Sequence, residues 1–137
     1  MRRFSVVLDT NVFIVSLIPH MKHYWVYEHL LNGKYDLQIS NEILTEYQEQ
    51  LAARYDISFV ESNLDFLLLL PNVKLVEPYF RWNLIKDDAD DNKFVDCAIA
   101  SNADYIITHD RHFRVLEQID FPKVKTAKLE IFKALFS

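Results

Sequence analysis

The stretch Phe4-Ser5-Val6-Val7-Leu8-Asp9 decides how the rest of the chain reads. It is a short, nearly unbroken apolar run rich in β-branched residues, which predicts a strand buried on both faces in a parallel sheet. A carboxylate, Asp9, follows it directly. The pattern returns near the other end, where Tyr105-Ile106-Ile107-Thr108 predicts a second strongly apolar strand and Asp110 follows after His109. Strands of a parallel sheet all finish at one edge, and ligands of open α/β folds bind outside those carboxyl ends. Asp9 and Asp110 are therefore expected at the same edge.

Between these strands, helical and strand patterns alternate. Residues 11–17 predict a helix stopped by Pro19, and residues 23–31 a second, with Tyr24, Tyr27, Leu30 and Leu31 at helical spacing before Asn32-Gly33. Residues 36–39 predict a short strand. Ser40 or Asn41 then caps a helix running to about Ala53, with Ile43, Tyr47 and Leu51 stepping by four along one face. An amphipathic helix over 58–70 leads through the Pro71-Asn72 turn into a strand over 73–76. An acidic loop over 86–91, a helix over 92–102, a last strand near Val124 and a helix over 129–136 complete the series. Such alternation predicts an α/β fold with a parallel sheet and right-handed crossovers. With no repeat, low-complexity tract or linker, residues 1–137 read as one domain.

Composition narrows the function. Half of the 137 residues are hydrophobic, with ten Phe, seven Tyr and two Trp, which supplies a core and excludes a disordered chain. Gly33 is the only glycine, so no phosphate-cradling loop of a nucleotide-binding fold is possible. Cys97 is the only cysteine, which excludes a disulfide within the chain and a Cys-based zinc cluster and reads as a buried thiol. Asp9 interrupts the apolar start too early for a signal peptide, and Pro71 closes the run over 66–70 before it can span a membrane, so a cytoplasmic protein is expected. The formal net charge of −5 opposes coating of nucleic acid by bulk electrostatics. It is compatible with a nucleic-acid enzyme if the acids converge on one site that a metal neutralises.

Asp91 opens the helix before the second strong strand, and its loop lies at the same edge if the strand over 73–76 is parallel to the others. Glu42, Glu46 and Glu49 mark the polar face of their helix, and periodicity does not choose among them. Carboxylates gathered within a few ångströms raise one another's pKa unless a cation separates them. All-oxygen ligation, without His-x-x-x-His or paired cysteines, suits Mg²⁺ or Mn²⁺, and hydrolysis of phosphodiesters follows from a metal-activated water. Each residue also has a plainer reading. Asp9 caps the following helix, Asp87 and Asp88 are solvated, and Lys93, Arg111 and Arg114 are surface cations that otherwise grip phosphates, Arg111 foremost. Phe13, Tyr24, Trp25 and Trp82 serve the core or an interface, or stack on bases. A receiver-type phosphoacceptor domain fits worse, because the first strand ends in a lone Asp9 and the strand over 73–76 ends without an aspartate.

Four blocks in order, Leu8-Asp9-Thr10-Asn11-Val12-Phe13, Ser40-Asn41-Glu42-Ile43-Leu44-Thr45-Glu46, Asp88-Ala89-Asp90-Asp91-Asn92-Lys93-Phe94 and Ala103-Asp104-Tyr105-Ile106-Ile107-Thr108-His109-Asp110, resemble the signatures of PIN domains. The subgroup they look most like is the bacterial toxin components of toxin–antitoxin systems, relatives of the VapC-like toxins. The resemblance spans nearly the whole chain and implies helices on both faces of a short parallel sheet. It also implies a Mg²⁺- or Mn²⁺-dependent endoribonuclease acting on RNA, a cognate antitoxin and a dimer. Asp9, Asp91 and Asp110 would be metal ligands, Glu46 the helix carboxylate, and Asp96 an outer member of the site. Thr10, Asn11 and Thr108 match supporting positions, while His109 stands where the family often has Gly or a basic residue. The aromatic stretch 23–31 is the candidate dimer or antitoxin surface. A non-catalytic PIN-like module that binds RNA or protein is the alternative.

Overall fold

The structure, a computed structural model, describes residues 3–137. The chain runs β1 (Phe4–Leu8), α1 (Thr10–Val15), α2 (Tyr24–Leu31), β2 (Tyr35–Ile39), α3 (Asn41–Ala52), α4 (Ile57–Leu69), β3 (Val73–Leu75), α5 (Asn92–Ser101), β4 (Tyr105–Ile107), β5 (Thr126–Ala127) and α6 (Leu129–Ala134). Two 3₁₀ segments, Ala89–Asp91 and Arg111–Gln118, flank α5 and β4. The five strands form one sheet in the order β3-β2-β1-β4-β5, each neighbouring pair parallel. Consecutive β1 residues Val6, Val7 and Leu8 are at most 1 % exposed. Because successive side chains point to opposite faces, helices must cover both sides of the sheet.

The helices start where local chemistry dictates. Ser40 caps α3 by accepting the Ile43 N–H at 3.2 Å, and Ile43, Tyr47 and Leu51 form the buried face. Tyr47 then fixes α3 to the sheet, its hydroxyl donating to the Leu8 carbonyl at 2.5 Å while its ring stacks on Phe13 at 4.2 Å. At the far end of α5, Asn102 takes the left-handed conformation (φ 54°) that ends a helix sharply. Cys97 is buried, and burial pushes its thiol up to about 12.

Most elements differ from the sequence expectation by a residue or two at their ends. The last strand lies at Thr126–Ala127, two residues beyond Val124, because β4 offers only Ile106 and Ile107 as partners; Val124 is buried ahead of it. The 3₁₀ segment Arg111–Gln118 was not foreseen, although Phe113 and Leu116, both buried, carry its three-residue period. The aromatic content of the stretch 23–31 is largely satisfied within the chain. Trp25 packs on Phe132 at 5.6 Å, and His29 on Phe136 at 4.9 Å. Among the described residues no helix is long and apolar enough to cross a membrane.

Asn72 joins three elements. Its Nδ2 donates to the carbonyls of Leu30 (2.9 Å) and Tyr35 (2.8 Å), and its own carbonyl accepts the Leu37 N–H at 2.9 Å. The residue is 3 % exposed. Asn72→Ala takes a buried donor from both carbonyls, of which that of Leu30 keeps the Gly33 N–H at 3.1 Å, and is expected to cost about 1–3 kcal/mol in urea denaturation, the range for one unsatisfied buried group.

Candidate active site

The strand order places β3 and β2 on one side of β1 and β4 and β5 on the other, so the connections leave β1 in opposite directions. The crevice of an open α/β sheet lies at that reversal, outside the carboxyl ends of β1 and β4. Leu8 pairs with Ile107, and the Asp9 N–H extends the ladder to the Ile107 carbonyl at 3.0 Å. Thr108 links the two strand ends: its hydroxyl donates to Asp9 Oδ2 at 2.7 Å and accepts the Asp110 N–H at 3.0 Å. Asp9 stands at the N-cap of α1 yet makes no capping bond, so capping does not account for it. Burial raises its pKa, Thr108 opposes that rise, and the charges of Asp110 and Glu46 add to it.

Asp91 reaches the same edge from the 3₁₀ turn before α5. It too occupies an N-cap without a capping bond. Burial first, then the charges of Asp88, Asp110 and Asp9, push its pKa up to about 7, with His112 opposing. Asp88, left to solvent in the sequence reading, caps the turn through Oδ1, which accepts the Asp90 N–H at 3.2 Å. His112, which the sequence reading passed over, brings Nδ1 to 3.1 Å from Asp110 Oδ1, 3.6 Å from Asp91 Oδ2 and 3.9 Å from Asp88 Oδ2. Its backbone N–H donates to Asp110 Oδ1 at 2.9 Å, the cap that begins the 3₁₀ segment. The sequence signal for His112 was its place two residues after a strand-end aspartate, where such a cap turns the chain back.

Glu46 projects from α3 beside the buried Tyr47. Both of its oxygens are engaged, Oε2 by the Thr10 hydroxyl and Oε1 by Lys93 Nζ at 2.6 Å. Burial works against the Lys93 ammonium, but Glu46 and Asp90, the latter at 3.2 Å, outweigh it and hold its pKa above the ordinary value. Lys93, 9 % exposed, is thus tied to carboxylates rather than turned out toward a phosphate. Of the neighbouring glutamates, Glu42 pairs with Arg81 at 3.3 Å and Glu49 is exposed. Asp96 lies apart from this group; it is buried and accepts the Trp82 N–H at 3.1 Å. Four residues earlier on α5, Asn92 holds both the N–H and the carbonyl of Ile85.

A cavity of about 390 Å³ opens over Asp9 and Asp110, with Asn11, His23 and His109 in its walls. His109 Nε2 accepts the Leu129 N–H at 3.4 Å, tying the end of β4 to α6. Next to it a groove of about 240 Å³ carries Arg111, Arg114 and Lys128 along Asp110. The donor set fits a hard divalent cation. Asp9 and Asp91 have raised pKa values, and the buried Asp91 Oδ2 has no hydrogen-bond partner.

The raised Asp91 pKa has a definite consequence. Its ordinary value is 3.8, so between about pH 4 and its folded value of about 7 the native state binds more protons than the unfolded chain. The resulting stabilisation is complete below about pH 4 and is lost as pH rises through 7. In metal-free thermal melts, wild type is expected to lose more stability over that interval than Asp91→Asn, and saturating Mg²⁺ or Mn²⁺ to recover the loss.

The family profile for the PIN domain matches residues 5–112. No curated protein is significantly similar in sequence. The fold is similar to that in the crystal structure of VapBC2 from Rickettsia felis bound to a DNA fragment from their promoter, with a TM-score of 0.63 and 19 % identity, covering 91 % of this chain and 98 % of that one. It is similar also to VapBC-1 from nontypeable Haemophilus influenzae (TM-score 0.62, 16 % identity, 91 % and 98 % covered). FitAcB from Neisseria gonorrhoeae gives a TM-score of 0.54 at 18 % identity, with 88 % and 95 % covered. At such identities these structures speak for the fold alone. The profile match runs from β1 through the strand-end acids to His112, and on that ground the chain belongs to the PIN domain family.

Proposed function

We propose that this protein is a Mg²⁺- or Mn²⁺-dependent endoribonuclease, the toxin component of a toxin–antitoxin pair. The observation that carries this reading is the convergence of Asp9, Asp91 and Asp110 at the topological switch point of the sheet, with Glu46 electrostatically coupled to Asp9. Asp9, Asp91 and Asp110 would hold the cation. When bound, it supplies a water of lowered pKa and neutralises charge on the phosphate and leaving oxygen.

The chain's own residues do the positioning. Thr108 fixes the rotamer of Asp9 and the start of the Asp110 turn, while Thr10 and Lys93 hold Glu46 within electrostatic reach of Asp9. Arg111, Arg114 and Lys128 offer cations to phosphates flanking the scissile bond. This local positive rim answers the objection raised by the net charge of −5. Fold similarity to the VapBC and FitAcB structures supports an antitoxin as partner; a homodimer and a cytoplasmic setting are parts of the same reading.

Incubation of the purified chain with RNA and Mg²⁺ or Mn²⁺ is expected to yield cleavage that a chelator abolishes. Asp9→Asn should lower the rate at least about 100-fold, equivalent to roughly 2.7 kcal/mol of transition-state stabilisation. Cleavage that survives both treatments would refute the reading. RNA binding without cleavage or measurable metal binding would instead favour a non-catalytic module. Thr108→Val, which removes only the orienting hydroxyl, is expected to lower metal affinity or activity about 10–100-fold, read by calorimetry alongside the cleavage rate.

A further inference from the structure

His112 brings a ring nitrogen against three carboxylates, those of Asp88, Asp91 and Asp110. Three features aim it there. Its backbone N–H is held by Asp110 Oδ1, which fixes the base of the side chain. Asp88 uses Oδ1 to cap its own turn and so turns Oδ2 toward the ring. Asp91 Oδ2 and His112 Nδ1 are both buried atoms without a hydrogen-bond partner, 3.6 Å apart. Buried polar atoms in native proteins are ordinarily satisfied, and a carboxylate oxygen with no donor, facing a ring nitrogen that lies 3.1 Å from Asp110 Oδ1 without hydrogen-bond geometry, is an arrangement that a cation between them completes.

The separations agree. Ligand atoms of Asp88, Asp91 and His112 lie within 4.8 Å of one another. Two ligands each about 2.1 Å from one octahedral ion lie roughly 3 Å apart at right angles and about 4.2 Å apart when opposed. The 3.6 and 3.9 Å approaches of Nδ1 to Asp91 and Asp88 fall within that window.

We propose that Asp88, Asp91 and His112 form a second cation position, which shares Asp91 with the pocket of Asp9 and Asp110 and takes Mn²⁺ in preference to Mg²⁺. Two carboxylates with one imidazole suit a first-row transition ion, whereas Mg²⁺ favours an all-oxygen shell. The position deepens the metal-dependent reading above, since it would place a second cation beside the first.

The test needs no RNA. Pulsed electron paramagnetic resonance of Mn²⁺ bound to the purified chain is expected to show nitrogen coupling that His112→Gln removes and Asp9→Asn retains. Calorimetry with Mn²⁺ alone should show at least about tenfold weaker binding at one position in both His112→Gln and Asp88→Asn, with Mg²⁺ binding little changed. His112 is more than a third exposed, so thermal melts of His112→Gln should confirm a folded chain. Absence of nitrogen coupling in wild type overturns the proposal, leaving His112 a neighbour of Asp110 in the turn that Asp110 caps. So does an equal loss of Mn²⁺ and Mg²⁺ binding in His112→Gln. Metal-dependent RNA cleavage without nitrogen coupling would leave the ribonuclease reading standing while this one falls; nitrogen coupling without cleavage would do the reverse.

Discussion

The parallel pairing of β1 with β4 joins chain segments some hundred residues apart and sets Leu8 against Ile107, so that the chain leaves the sheet at two adjacent points, each followed by an aspartate. That register forces like charges together. Their mutual repulsion adds to the larger effect of burial in raising the pKa of Asp9, and the fold must hold them against it. The restraint comes from the apolar side of the same strands. Val6, Val7, Leu8, Ile106 and Ile107 are buried, and Tyr47 clamps the Leu8 carbonyl from α3.

Aspartates in this chain divide into two sorts, and the division explains what the sequence made visible. Asp56, Asp88 and Asp110 cap helical turns through their side chains, as aspartates at such positions ordinarily do. Asp9 and Asp91 occupy cap positions without a side-chain capping bond. Sequence alone cannot separate the two sorts, because both stand just before a helix. Position at a strand end was legible for Asp9 and Asp110 because short apolar runs announce buried strands, and the alternation of elements announced the parallel sheet.

What stayed hidden depends on contacts between distant segments. The polar face of α3 offers three glutamates at equivalent spacing, and only the reach of Thr10 and Lys93 across the crevice distinguishes Glu46. Asp96 stands where the resembling subgroup often has an acid, and the helix turns it toward the Trp82 N–H. His112 lay outside any expected element, since the 3₁₀ segment that carries it has a three-residue period unlike that of the helices around it. The last strand was displaced from Val124 because so short a strand takes its register wholly from its partner.

Residues 76–88 have no regular structure, yet Asp88 at their far end stands in the acidic cluster. The stretch is anchored at both ends: Val76 to the Ile39 carbonyl, and Trp82 and Ile85 to side chains of α5. Between these moorings, the contacts of Glu77 with Asn41 and Arg81 with Glu42 are exposed side-chain pairs. Geometry at Asp88 is consequently inherited from α5 and not from the length of chain that precedes it. Residues 77–81 form a joint at which insertion, deletion or grafting can diversify the molecule's outer surface while the carboxylates keep their places, a modularity that both descent and engineering can exploit.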